Sequence, residues 1–186
     1  MNLKYIYNRQ TLKLISVLRG GQASDFRATA ENVRPFVAGN NRYFKLNLYP
    51  IAFKDTSHAK WLTGFSEITG FARKEDYIEW CRANRFPVLR QWAEKYHPKL
   101  IICFGKTYID DFKLAFVGNK CPHEQALLCG KELSWFRANF HTLVAVCPFP
   151  VNRYGLNSNA SLQAFGDKLR ALSDHEHDGN ALIGIE

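Results

Sequence analysis

The chain has 186 residues, 46% of them hydrophobic and 14% aromatic, and carries a net charge of +8. That length and apolar content suit one domain with its own core and exclude a mostly disordered chain, and no apolar run approaches the roughly 18 residues of a membrane span. The charge is uneven: residues 1–60 hold ten Lys and Arg against three Asp and Glu, whereas residues 121–186 hold five against seven.

Residues Leu12–Leu18 alternate as Leu-Lys-Leu-Ile-Ser-Val-Leu and suggest a first strand, ended by Arg19-Gly20-Gly21-Gln22. A polar stretch from Ala23 to Asn41 reads as loop or short helix. Phe44–Pro50 reads as a buried strand that stops at a polar residue, Asn47. Residues 51–72 read as a long loop holding Trp61 and Phe65, and such loops are more often functional than decorative. From Lys74 the spacing turns helical, with Tyr77, Trp80 and Cys81 on one face. Pro87 opens a second helix with Leu89, Trp92, Ala93 and Tyr96 inward, and Pro98 blocks its continuation. Leu100–Phe104 is a strand that ends at Gly105, and Tyr108–Phe116 suits a helix. Leu133–Ala138 and Thr142–Val146 suit two strands. Ser158 or Asn159 caps a last helix to about Leu172, beyond which the composition turns polar. The expected fold is α/β: a three-layer α/β/α sandwich on a central, largely parallel four-stranded sheet. Residues 1–172 form one domain and residues 173–186 a polar tail.

Three of these segments end in punctuation of the kind that marks a site. Leu46-Asn47-Leu48 ends in an amide, Ile101-Ile102-Cys103-Phe104-Gly105 in a glycine, and Val146-Cys147-Pro148-Phe149-Pro150 in a stiff loop. In open α/β sheets ligands bind beyond the carboxyl ends of the strands, so Asn47, Gly105 and Cys147 are expected at one rim. In this order the three segments resemble the uracil-DNA glycosylase superfamily over roughly residues 40–172.

The resemblance implies DNA binding, flipping of a base, and hydrolysis of its N-glycosidic bond. Asn47 would read the base edge, because an amide both donates and accepts. Tyr49 or Phe53 would stack on the base; the alternative for either aromatic is the core. Gly105 would let backbone approach a phosphate, with Lys106 adding charge. Pro148 and Pro150 would stiffen a loop that enters a groove, continued by Arg153 on a phosphate and by an exposed wedge of Tyr154 and Leu156. The family's His stands here as Cys147, a weak donor. Its water-orienting acid falls on Ala23, two residues before Asp25, so Asp25 is the catalytic candidate and Asp55 a second one. These departures point to a modified base rather than ordinary uracil, or to a DNA- or nucleotide-binding protein without catalysis.

No cofactor is expected. Gly105-Lys106-Thr107 lacks the earlier glycine of a phosphate loop. Cys121, His123 and Cys129 lack zinc spacing, and the N-terminal cysteines that hold an iron–sulfur cluster in some glycosylases are missing. Five cysteines read as reduced thiols. Met1–Tyr5 reads as no signal peptide, because polar residues interrupt the apolar stretch that follows. A cytoplasmic monomer with DNA as partner, away from any membrane, is the expectation.

Overall fold

The chain opens with a helix, not the strand that Leu12–Leu18 suggests: α1 spans Ile6–Leu18. The alternation there is only two steps long. Leu14, Ile15, Val17 and Leu18 instead pair at helical spacing, and most of the face from Gln10 to Val17 is buried. Gly20, at φ 88°, takes the left-handed turn that stops the helix. The structure is a computed structural model and describes residues 3–37, 39–40, 42–51, 61–139, 142–151 and 153–178.

A short 3-10 turn, Ala23–Asp25, leads into α2, Phe26–Val33. Residues 43–47 are irregular, so the strand expected at Phe44–Pro50 does not form. Three helices follow: α3 at Thr63–Thr69, α4 at Lys74–Trp80 and α5 at Phe86–Tyr96. The last two are joined by a π-helical stretch, Cys81–Arg85. Pro87 lacks an N–H and would clash with a carbonyl four residues back, and the wider π turn accommodates it. The two helices expected on either side of Pro87 therefore form one continuous rod. His97, at φ 44°, ends it ahead of Pro98.

The strands are β1 (Leu100–Phe104), β2 (Glu124–Leu128), β3 (Lys131–Asn139) and β4 (Thr142–Cys147). α6, Ile109–Phe116, lies between β1 and β2, and α7, Asn159–Asp178, is the last described element, so the helix runs on beyond Leu172. The sheet is open, in the order β1-β4-β3-β2. Only β1 and β4 are parallel; β4–β3 and β3–β2 are antiparallel. This corrects the expectation of a largely parallel sheet. The cause is connection length. Cys129 and Gly130, both at positive φ, close a two-residue hairpin between β2 and β3, and a parallel crossover needs a dozen residues or more. Only the chain between β1 and β4 is long enough.

β4 is buried along its whole length, and its alternate residues join two apolar clusters. Val144 and Val146 pack with Cys103, Phe136 and the α4–α6 residues Tyr77, Phe86, Leu89 and Phe112. Leu143, Ala145 and Cys147 pack with Trp135 and with Leu14, Val17, Leu162, Phe165 and Leu169 of α1 and α7. The two helices touch closely: a Cβ on Gly166 would lie 2.5 Å from the Val17 side chain. The chain is thus a mixed α/β protein with apolar packing on both faces of one sheet. Among the described residues, no helix is long and apolar enough to cross a membrane.

Candidate functional site

β1 and β4 end side by side. Phe104 is in register with Cys147, and the Gly105 amide donates to the Cys147 carbonyl at 2.9 Å. Gly105 sits at φ 114°, a region closed to residues with a Cβ, and no heavy atom lies within 4 Å of where one would be. The chain there is held open by conformation rather than by crowding.

An aromatic group with one cation covers this rim. The Tyr7 ring of α1 meets Phe104 at 5.7 Å and Phe149 at 5.9 Å between centroids. Lys45 places its ammonium 4.4 Å from the Tyr7 centroid. Phe149 is 43% exposed between Pro148 and Pro150, which are both buried. Burial raises the Tyr7 phenol above its ordinary range. Lys106 pairs with Glu132 at 2.8 Å, and the ammonium holds that carboxyl low.

On the other flank of β1 the cause of order is the π-helical stretch. It turns Arg82 and Arg85 toward the rim. Arg85 donates from Nε to the Leu48 carbonyl and from Nη2 to the Asn47 carbonyl, each at 2.8 Å. Arg82 donates to Asp111 Oδ1 at 2.7 Å, and the Tyr49 hydroxyl donates to Asp111 Oδ2 at 2.6 Å. The Tyr49 ring touches Tyr108, in the turn after Gly105, at 5.6 Å. Burial, and then the carboxylate accepting its proton, push the Tyr49 phenol far above its ordinary range. A cleft of about 260 Å³ opens beside this group, lined by Glu75, Glu79, Arg82, Thr107, Tyr108 and Asp111.

Residues 45–49 therefore cross the carboxyl end of β1, from Lys45 on the Tyr7 side to Tyr49 on the Tyr108 side, with Asn47 midway. Asn47 is exposed and is fixed by its backbone carbonyl, not by its side chain. It belongs to an irregular crossing segment and not to a strand end. Gly105 and Cys147 thus meet at one rim, and Asn47 lies on the segment that joins Lys45 to Tyr49.

Other candidates occupy structural positions. Asp25 accepts the Gln22 amide at 2.9 Å in a capping box and the Ser24 hydroxyl at 3.1 Å, so both carboxylate oxygens are engaged within the 3-10 turn that precedes α2. Ala23 is buried. The Cys147 side chain is fully buried in the cluster beneath α1 and α7, and burial holds its thiol well above the usual range. Tyr49 is 5% exposed and is a core residue, so it offers no face for stacking. The wedge divides: Tyr154 is 78% exposed, with Arg153 over its ring, whereas Leu156 is 0% exposed and packs in the core. Leu156 is thereby corrected from groove contact to core. Phe53 and Asp55 lie outside the described residues.

Sequence reading missed Tyr7, Lys45, Arg82, Arg85 and Asp111. One signal was present for Asp111: it follows Tyr108 by three residues and precedes Ala115 by four, on the inward face of α6. A carboxylate there has to be paired. His123 Nδ1 lies 3.0 Å from the Lys113 ammonium, and Cys129 is exposed. Among the described residues no cluster of His, Cys, Asp or Glu could hold a metal ion. No family model, curated protein or solved structure matches this chain.

Proposed function

We propose that this chain is a DNA-binding protein that takes an unstacked base at the carboxyl rim of β1 and β4, on a three-layer α/β/α frame. The observation that carries the reading is the rim cluster of Tyr7, Phe104, Phe149 and Lys45, with the exposed Asn47 two residues after Lys45. Aromatic faces accept any base by stacking, and a neighbouring ammonium suits the phosphate chain. An exposed amide on a segment fixed through its own backbone suits reading of a base edge. The +8 net charge favours a polyanionic partner. Binding without hydrolysis is the better-supported form, because the Asp25 carboxylate is committed to a cap and the Cys147 thiol is buried.

Hydrolysis of a modified base keeps one favourable observation. The cleft beside Tyr108 is lined by Glu75 and Glu79 as well as by the paired Asp111, which Tyr49 ties to the segment after Asn47. A carboxylate there would offset the positive charge of an oxocarbenium-like transition state.

The deciding experiment is binding of fluorescent single strands and duplexes at low and moderate salt, with a panel of modified-base duplexes assayed for alkali-labile sites. Binding that falls with salt and weakens in Lys45→Gln and Phe149→Ala supports the reading. Absence of binding at low salt sinks it. Alkali-labile products that vanish in Asn47→Ala would establish the hydrolytic form.

A further inference from the structure

A second concavity is lined by residues outside the rim cluster. It is an open basin of about 610 Å³ whose lining includes Arg19, Arg34, Arg42, Asn40 and Tyr43. Among the described residues no acid lines it. Three of the ten cations in residues 1–60 thus face one space with no lining carboxylate to offset them.

A single side chain builds this arrangement. Asn40 Nδ2 donates to the Val33 carbonyl at 2.9 Å and to the Arg34 carbonyl at 3.2 Å, two groups that the end of α2 leaves without helical partners. Asn40 Oδ1 accepts the Arg42 amide at 2.9 Å. Arg34 itself takes the left-handed conformation, φ 48°, that turns the chain out of α2. The loop is therefore folded back on the helix, with an arginine on each side of the Asn40 clamp. Arg19 donates to the Tyr43 hydroxyl at 3.4 Å, and the Phe36 ring meets Tyr43 edge-on at 6.3 Å. Three arginines line one space without a lining acid, and a bound anion would offset their like charge. Guanidinium forks fit phosphate oxygens in pairs.

We infer that the Arg19–Arg34–Arg42 basin is a phosphate-binding site, and that the sugar–phosphate backbone of the DNA strand engaged at the rim occupies it. The inference rests on the proposed function for the identity of the strand, but not for the phosphate chemistry. Continuity supports the strand as source: Tyr43 lines the basin and Lys45, two residues on, reaches Tyr7 at the rim. On this inference a phosphate chain held at Lys45 continues to Arg42 and Arg34. The basin is also larger than one phosphate needs and falls in the size range of small-ligand sites.

The test compares the full chain with Arg34→Gln/Arg42→Gln and with Arg34→Lys/Arg42→Lys. Binding of a fluorescent oligo-dT strand is measured from 50 to 200 mM salt, and pyrophosphate is titrated against the arginine Nε–Hε NMR signals. Removing two phosphate contacts should lower the slope of log K against log salt by roughly 1.4, which is about sevenfold less change over that range. The Lys pair should restore the slope. Both variants should melt like the parent, because neither side chain is buried. If the strand binds and the Gln pair keeps the parent slope, the basin is idle; the proposed function survives and this inference falls. If no strand binds but pyrophosphate shifts the Arg34 and Arg42 signals, the basin stands as a free-phosphate site and the DNA reading falls. If neither probe binds, both fall.

Discussion

The Tyr49 hydroxyl donates to the Asp111 carboxylate at 2.6 Å, and that buried bond ties the irregular segment before Ile51 to the first turns of α6. Arg82 completes the group from the π-helical stretch. The carboxylate is 7% exposed, so each donor offsets part of its burial. Tyr49→Phe keeps the ring contacts with Phe86 and Tyr108 and removes only the donor. It should lower stability by about 1–2 kcal/mol in denaturant unfolding. Asp111→Ala strands both donors and should cost more.

The same phenol makes a pH prediction. Its folded pKa is raised above the ordinary value of 10.0, so the neutral form is favoured by folding. Tyr77, whose hydroxyl accepts the Ile51 amide at 3.2 Å, is likewise pushed up to about 12, chiefly by burial. Stability from both groups is fully present below pH 10 and declines as pH rises beyond it, because the unfolded chain then loses protons that the fold retains. Unfolding followed between pH 8 and 11 should show this decline, and Tyr49→Phe should make it shallower. A decline that begins well below pH 9 would mean other groups control it.

Asp25 separates a cap from a catalyst. As the capping-box acid of the 3-10 turn before α2 it should contribute about 1 kcal/mol, so Asp25→Ala should lower stability by that amount. Asp25→Ser should recover part of the loss. Any base release that the parent shows should persist in both variants. If Asp25→Ala abolishes base release at unchanged stability, the carboxylate acts on substrate instead.

β1 and β4 were legible as apolar runs closed by Gly105 and Pro148, and β3 was legible too, whereas β2, which begins Glu124-Gln125, was not. The helix over Tyr108–Phe116 was legible from its spacing. α1 was not, because the Leu-Lys-Leu alternation imitates a strand over so few residues that only the buried neighbour, α7, decides between the two. Phe44–Tyr49 also alternates, yet Phe44 and Leu46 are exposed and the segment is held by Arg85 and by the Tyr49–Asp111 bond. Those partners lie about 40 and 60 residues away, beyond any local pattern. Asp25 and Cys147 take structural positions that no local pattern marks. Sequence order marks both as candidates, but only packing shows that one braces the 3-10 turn before α2 and the other faces the core.

Asn47→Ala tests the amide at low structural cost. The Arg85 bond goes to the backbone carbonyl, so the substitution should change the melting temperature little. Non-specific DNA affinity should hold, since phosphate contacts supply it. Discrimination between bases should be lost. Equal preference among bases in the parent chain would leave Asn47 without a reading role.

The loop after Pro150 offers the sharpest contrast between neighbours. Tyr154 stands 78% exposed with the Arg153 guanidinium 5.8 Å from its ring centroid, while Leu156 is fully buried against residues of α1 and α7. Tyr154→Ala removes an exposed ring and should alter stability by less than about 0.5 kcal/mol. Leu156→Ala opens a cavity in a packed cluster and should cost about 2–5 kcal/mol. For DNA the order reverses. Tyr154→Ala should weaken duplex binding more than single-strand binding if the ring enters the stack, because only a duplex has a stack to prop open. Leu156→Ala, compared at a temperature where it remains folded, should bind as the parent does. Duplex affinity unchanged in Tyr154→Ala would remove this loop from the DNA contact and leave the Tyr7–Phe149 cluster and the arginine basin to carry it.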